Sequence, residues 1–262
     1  MRTQSVVSVR EILMADYQHL NHAPVIEAIL GFQADISKEW NPDVMRAGLS
    51  KHYPDFPKIQ EQRDFESKFT MSPGKDPESI ATIHGVRGFI LHGNDGGSAI
   101  QIRRDGFAFS QLKPYPDWDR FVDNAMSQWK ISADWFGIDS PHSVFLRFIN
   151  RLSYPIEDFK FADYFEHPPK PPMGTSWRFN SFREHNVYVS EDDRFLVESV
   201  FSRTGDPSPQ KKVDFLLDLT IKPTESLAES GNSIESLLPE MRKLKNNAFF
   251  AKLTEPGLEP YK

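Results

Sequence analysis

The sequence predicts an α+β protein of two tandem β-α-β(3–4)-α repeats that share one continuous antiparallel sheet, with the helices on one face. The first observation is that one order of elements occurs twice: a long apolar strand, a helical stretch, three or four strands, and an amphipathic helix. The second is spacing. The first strands begin near Pro24 and Val144 and the closing helices near Trp118 and Ile234, so the two offsets are nearly equal.

We therefore divide the 262 residues into an N-terminal arm (1–22), a first repeat (23–138) and a second repeat (139–262). A chain of this length can form one large domain or two smaller ones, and either can bury a sizeable core. The boundary lies in the short polar segment 137–141.

Composition excludes several classes of protein. The chain has no Cys, so it has no disulfide framework, no thiolate metal site and no cysteine nucleophile. The absence of disulfides fits a reducing compartment. No apolar run is long enough for a membrane span and the N-terminus lacks a signal peptide pattern, so we expect a cytoplasmic protein without membrane contact. The net charge of −6 disfavours general nucleic-acid binding, which depends on neutralising phosphates.

The first repeat opens with an apolar strand at 23–34. Asn41 as N-cap and Pro42 at the first helical position then predict a helix that ends at about Tyr53. Asp105-Gly106 is typical of a two-residue hairpin turn. The strand candidates of this repeat after the helix are 65–71, 80–92, 99–104 and 107–112.

The closing helix of the first repeat has the clearest periodicity in the chain. Asp117 is the predicted cap, and one face of the helix is apolar. The apolar residues at helical spacing are Trp118, Phe121, Val122, Ala125 and Trp129.

The second repeat follows the same order, with a strand at 143–155, a short helical piece at 159–165, and strands at 176–189, 194–203 and 212–222. An amphipathic pattern resumes at Ile234, but Pro239 predicts that the continuous helix begins at that proline. We expect the last residues, 254–262, to form an exposed tail.

Two such units can join their sheets through their first strands, which removes two exposed edges. The 23–34 and 143–155 strands would then lie at the centre of the sheet, and one sheet face would stay open. This order of elements resembles the TATA-binding-protein fold and, more loosely, helix-grip folds, a likeness of fold that carries no function.

The 143–155 strand alternates strictly between two faces. On its apolar face, we expect Asn150 to have buried hydrogen-bond partners and to tie down a nearby loop. Its other face carries Arg147 and Arg151. The residues predicted on the first face are Val144, Leu146, Phe148, Asn150, Leu152 and Tyr154.

Arg147 and Arg151 are the main candidates for a binding site on the open sheet face, where Glu27 and Gln33 of the first strand and Arg103 of a neighbouring hairpin would join them. Two interpretations stand. In one, Glu27 and Gln33 satisfy the arginines in a structural ion-pair network. In the other, the arginines form a patch that binds an anion or a partner.

Catalytic motifs are absent from the sequence. The eight His residues are scattered, and there is no HExxH, GxSxG or phosphate-binding glycine loop. We assign no catalytic residue, no metal ligand and no cofactor. The segment WRFNSFREHNVYV interleaves aromatic and basic residues, as base-stacking strands do. Because the chain as a whole is acidic, an amphipathic strand with aromatic core residues is the favoured interpretation.

Five segments resemble a sporadically distributed, mostly uncharacterised family of bacterial proteins of about this length: APVIEAI, RRDGFAFS, WDRF, the central RxxNR strand motif in RFINRLSYP, and NNAFFAKLTE. The resemblance spans almost the whole chain and is most specific at Arg147, Asn150 and Arg151. It implies a bacterial origin and a patchy distribution, which is common in mobile and defence-linked gene sets.

We therefore predict a non-enzymatic macromolecular binding module whose partner is another protein, as in antitoxin or immunity components. Nucleic-acid or nucleotide-phosphate binding on the open sheet face is the alternative, and an enzyme of unknown class is the third hypothesis. Salt dependence separates the first two, because phosphate binding weakens steeply with salt.

Overall fold

A computed structural model describes residues 20–36, 40–70, 78–177, 179–203 and 211–262. The predicted N-terminal arm, apart from residues 20–22, lies outside these described residues. The described part of the chain is α+β, with a single antiparallel sheet of nine strands and six α-helices. No helix within it is both long and apolar enough to cross a bilayer.

The sheet has the strand order β2-β3-β4-β5-β1-β6-β9-β8-β7, so β1 and β6 are neighbours, as the sequence predicts. The strands are β1 (Val25–Gln33), β2 (Lys58–Thr70), β3 (Glu78–His92), β4 (Ser98–Arg103), β5 (Gly106–Leu112), β6 (Ser143–Pro155), β7 (Phe182–Val189), β8 (Phe195–Arg203) and β9 (Lys212–Pro223).

Helices interrupt the strands at the predicted places, with short additional turns near the C-terminus. The α-helices are α1 (Pro42–His52), α2 (Trp118–Phe136), α3 (Phe161–Tyr164), α4 (Leu227–Ser230), α5 (Ile234–Phe250) and α6 (Glu255–Leu258), followed by a 3₁₀ turn (Glu259–Tyr261). Asn41 and Asp117 cap α1 and α2 as expected: Asn41 accepts hydrogen bonds from the N–H groups of Asp43 and Val44, and Asp117 accepts one from the N–H of Arg120.

Contacts between Cα atoms group the chain into two compact units. Of the described residues, unit 1 comprises those within 20–26, 147–224 and 233–262, and unit 2 comprises those within 27–146 and 225–232. In unit 2, α2 covers β1 and β5: the Trp129 ring stacks on Phe32 with centroids 4.6 Å apart and lies 5.7 Å from Phe107. The predicted apolar face of α2 is therefore its buried face.

The core of unit 1 is rich in aromatic residues from β6, β8, β9 and the C-terminal helices. Tyr154 donates a hydrogen bond to the Gly257 carbonyl at 2.9 Å, and the Tyr261 hydroxyl accepts one from the Ser153 N–H at 2.8 Å. The buried members of this core are Leu152, Tyr154, Phe165, Phe201, Val213, Phe215, Leu217, Leu219, Phe249, Leu253 and Tyr261. The prediction of an exposed tail at 254–262 is therefore wrong, because Tyr261 anchors it.

The prediction that the last long helix begins at Pro239 is also wrong. Helix α5 begins at Ile234, capped by Ser233, and contains Pro239. Proline removes one backbone hydrogen bond, but Leu237 and Leu238 before it and Met241 after it are buried. Burial of this apolar face on both sides of the proline holds the helix together.

Three elements have bounds in the structure that differ from those predicted from the sequence. Strand β2 begins at Lys58 rather than 65, because it pairs with β3 along its length. Strand β7 begins at Phe182 rather than 176, and before it the ring of Phe179 lies 5.6 Å from the ring of Phe182. The helical piece predicted at 159–165 shortens to the single turn of α3.

Candidate functional site

The open face of unit 1 is the side of β6, β9, β8 and β7 opposite the buried core residues. Along β6, burial alternates residue by residue: Leu146, Phe148 and Asn150 are buried, while Arg147 is partly exposed and Arg151 is exposed. The period-2 pattern in the sequence predicts this division. On the neighbouring strands, the open face carries Asp214, Asp218 and Thr220 (β9), Glu198 and Val200 (β8), and Arg183, His185, Val187 and Val189 (β7).

Arg147 forms a bidentate ion pair with Asp218 on β9. Its Nε donates to Oδ1 at 2.8 Å and its Nη2 donates to Oδ2 at 2.6 Å. This fork geometry is the strongest arrangement that arginine and carboxylate adopt. The sequence pattern does not point to Asp218. Its carboxylate binds the guanidinium of Arg147, for which the sequence analysis offers anion binding as one interpretation.

An open pocket of about 210 Å³ lies on this face beside the ion pair. Across the β8–β9 pairing Val200 lies opposite Asp218, and Glu198 lies opposite Thr220. Glu198 also contacts His185 Nε2 at 2.8 Å. The lining residues are Arg147, Arg183, Glu198, Val200, Asp218 and Thr220. The pocket is therefore a polar depression in which the acids already have basic neighbours.

Arg183 and Arg151 differ from Arg147 in their partners. Among the described residues, no carboxylate lies within salt-bridge distance of either guanidinium, and both residues are exposed. Arg183 lines the pocket, whereas the described anchor of Arg151 is its backbone N–H, which donates to the Pro24 carbonyl at 2.8 Å. Arg183 is not among the site residues that the sequence predicts. Its position on an edge strand next to a pocket follows from the order of strands in the sheet, which local sequence patterns do not reveal.

Asn150 is 2 % exposed and lies in the core of unit 1. Its Nδ2 donates to the Leu217 carbonyl at 3.1 Å and to the Phe148 carbonyl at 3.4 Å. The amide thus has partners in the interior, but they belong to strands β9 and β6. The expectation that Asn150 ties down a loop is wrong, because the nearest acceptors lie on strands.

The remaining predicted site residues belong to unit 2. Glu27 is partly buried opposite Leu112, and Gln33 is exposed opposite Gly106. The Arg103 Nε lies 3.5 Å from Asp105 Oδ1 in its own hairpin. Each residue thus has a defined position on its strand, and the binding role assigned to Glu27, Gln33 and Arg103 stays a prediction.

Strand β7 is a sheet edge in the described part of the chain, and its C-terminal half is apolar and uncovered. Val187, Tyr188 and Val189 are 56 %, 55 % and 54 % exposed. Successive strand residues point to opposite faces, so three exposed neighbours mean that both faces are uncovered at this end. Such an edge can accept another strand.

The opposite edge, β2 in unit 2, carries features that block strand addition. Charged side chains lie on both of its faces, and its pairing with β3 shifts at a bulge between Gln62 and Phe65. Glu61 forms ion pairs with Arg63 at 2.7 Å and with Arg46 at 3.0 Å, and these hold the pKa of its carboxyl below the usual value. Charges and bulges protect natural sheet edges, and the C-terminal half of β7 has neither.

Lys245 lies on the buried stripe of α5, between Met241 and Phe249. Its Nζ is 4.4 Å from the centre of the Phe148 ring. Burial, aided by the charge of Arg242, lowers the pKa of this amine to about 7. Its ammonium form is therefore costly in the folded protein.

No group of three or more His, Asp or Glu side chains within the described ranges is placed to hold a metal ion. The chain matches no known protein-family model, and a search of curated proteins finds no significant match.

Proposed function

We propose that this chain is a protein-binding module that accepts an extended segment of a partner along strand β7. The observation that carries the proposal is the run of three exposed apolar residues, Val187, Tyr188 and Val189, on an edge strand. An edge strand offers unpaired backbone N–H and C=O groups, and a strand added there gains main-chain hydrogen bonds and apolar contact together.

The pocket beside β7 supports the same function. In strand addition, the main chain supplies affinity, and depressions next to the edge select side chains of the partner. Arg183 on β7 and Glu198 on β8 line such a depression on the open face. The module needs no chemical step, so it accounts for the site without assigning a catalytic residue.

The family resemblance of the RxxNR strand motif supports placing this module in a bacterial defence or mobile gene set, as a cytoplasmic antitoxin or immunity component. The partner would then be a toxin with an extended segment. This assignment rests on the residues of the resemblance and on the exposed edge.

We also propose that 23–138 and 139–262 are structural repeats of the β-α-β(3–4)-α type, similar to the TATA-binding-protein fold. Support comes from the element order, in which β1 and β6 each open a half and a long helix, α2 or α5, follows the later strands of each half.

Phosphate or nucleic-acid binding at Arg147 and Arg151 is the weaker alternative. The bidentate pair with Asp218 occupies the Arg147 fork that a phosphate would need, and a phosphate would meet the Asp218 carboxylate at the same place. Binding of this kind would also fall steeply with salt, whereas strand addition would not.

The test uses the tagged chain, residues 1–262, as bait in a lysate of its native cells at high salt, with the recovered partner purified and titrated back. We expect Val187→Lys combined with Val189→Lys to weaken its binding at least about tenfold, because lysine on an edge opposes strand addition. The matched control is Val44→Lys, a 66 % exposed valine on α1, which should bind like the wild type.

Hydrogen exchange on the same complex locates the contact. Amides of 182–189 should become protected on binding, and the β2 edge should not. A partner that binds the double variant with unchanged affinity, or that leaves the β7 amides unprotected, would show that the function does not use this edge.

A further inference from the structure

The open-face side of β7 changes character along the strand. From its N-terminus it presents Arg183, His185, Val187 and Val189, so it is basic at one end and apolar at the other. On the opposite face Glu184 contacts Lys252 Nζ at 3.3 Å. A partner strand therefore meets a polarised edge, and this polarity restricts its sequence.

The basic side chains near the pocket differ in whether a carboxylate of this chain already pairs with them. Asp218 binds the Arg147 guanidinium in two hydrogen bonds, and Glu198 binds His185. No described carboxylate lies within salt-bridge distance of Arg183, which lines the same pocket and is exposed. Within the described open face of β7, Arg183 is thus the cation best placed to attract an added carboxylate.

Resting on the strand addition proposed above, we infer that the partner segment is an extended peptide whose apolar side chains face Val189 and Val187 and whose acidic side chain faces Arg183. We place the segment antiparallel to β7, as β7 is to β8 and β8 is to β9, so its apolar positions come first and its carboxylate last.

The register follows from the period of the strand. Residues directly opposite each other in an antiparallel pair share a face, so the side chains that face Val189, Val187, His185 and Arg183 are alternate residues of the partner. The intervening residues face Tyr188, Asn186 and Glu184. An acidic side chain at the last of these would meet Glu184, which confines the carboxylate to the open face.

The test uses two blocked, fluorescein-labelled peptides as long as β7, Val-Tyr-Val-Thr-Thr-Ser-Glu-Ser and the same sequence with Lys in place of Glu. Binding is measured by fluorescence anisotropy up to millimolar protein. The proteins are the wild-type chain, Arg183→Glu, the double variant Val187→Lys with Val189→Lys, and the control Arg120→Glu, which changes charge at an exposed arginine of α2.

We expect the Glu peptide to bind the wild-type chain and the Arg120→Glu control about three- to tenfold more tightly than Arg183→Glu, and the Lys peptide to show the reverse preference. Salt should reduce this difference, because the pair is exposed.

Two outcomes overturn the inference in different ways. If both peptides bind equally to the wild-type chain and to Arg183→Glu but fail on the double variant, strand addition stands and the acidic partner is wrong. If neither peptide changes the anisotropy or protects the amides of β7 from exchange, both the acidic partner and the edge itself are excluded.

Discussion

The guanidinium of Arg147 and the carboxylate of Asp218 face each other across β6 and β9 with both hydrogen bonds shorter than 2.9 Å, although 71 residues separate them in the chain. Asp218 is 19 % exposed and Arg147 41 %, so solvent screens the pair only in part. The ion pair therefore both stabilises the open face and neutralises the most prominent arginine of the central strand.

A double-mutant cycle over Arg147→Ala and Asp218→Ala measures this pair. We expect each single change to lower the free energy of unfolding by about 1–2 kcal/mol, with a coupling energy of about 1 kcal/mol for the bidentate geometry. Urea denaturation provides the values. Arg151→Ala is the control, and it should change stability by less than about 0.5 kcal/mol. Strict additivity of the two changes would contradict the pairing.

Asn150→Asp tests the buried amide. The amide donates to the carbonyls of Leu217 and Phe148, and a carboxylate cannot donate, so the variant would hold an unpaired charge in the core. We expect a loss of about 3 kcal/mol at pH 7 that shrinks at acidic pH, because a protonated carboxyl can donate again. Chemical denaturation across pH measures it, with the exposed Asn186→Asp as control. A loss that does not vary with pH would argue against this hydrogen bonding.

Lys245→Met is expected to stabilise the protein. The pKa of Lys245 is about 7 when folded and near 10.5 when unfolded, so between these values the unfolded chain binds more protons and stability rises with pH. Below about pH 7 the full penalty is present. The Phe148 ring favours the ammonium and offsets part of that penalty.

We therefore expect Lys245→Met to gain about 1–2 kcal/mol at pH 7, and the gain to fall toward pH 10. Thermal or urea unfolding of both proteins across this range checks it. Lys243→Met, at an exposed position of the same helix, should give no pH-dependent difference. A destabilised Lys245→Met would mean that the ammonium is well solvated or paired.

Gly31→Ala is expected to cost about 1–3 kcal/mol, because a Cβ at this position of β1 would collide with the ring of Phe145. The cost should largely vanish when Phe145→Ala is present, which a double-mutant cycle of unfolding free energies detects. Gly85→Ala on β3 is the control, since nothing lies within 4 Å of a Cβ there. Equal costs at the two glycines would rule out the ring contact.

Local patterns in the sequence predict most of the elements. The alternation of 143–155, the caps Asn41 and Asp117, and the helical spacing after Trp118 each depend on residues close together in the chain, and each element lies where predicted. Pro239 misleads because its local penalty is outweighed by burial of Leu238 and Met241, which depends on packing partners far away in sequence.

The candidate site could be predicted only in part, for the same reason. The exposed face of Arg147 follows from the period of one strand. Its partner Asp218, the pocket neighbour Arg183 and the uncovered end of β7 depend on which strands are adjacent and in what register, and short-range periodicity carries no information about either.

The sequence by itself thus determined the α+β class, the order of strands and helices along the chain, and which face of each is apolar, because these follow from side-chain period and turn chemistry. Only the tertiary structure decided which charges meet, which lysine is partly buried against an aromatic ring and which edge stays open. Those properties arise when distant segments come together, and their energies depend on the contacts and burial that result.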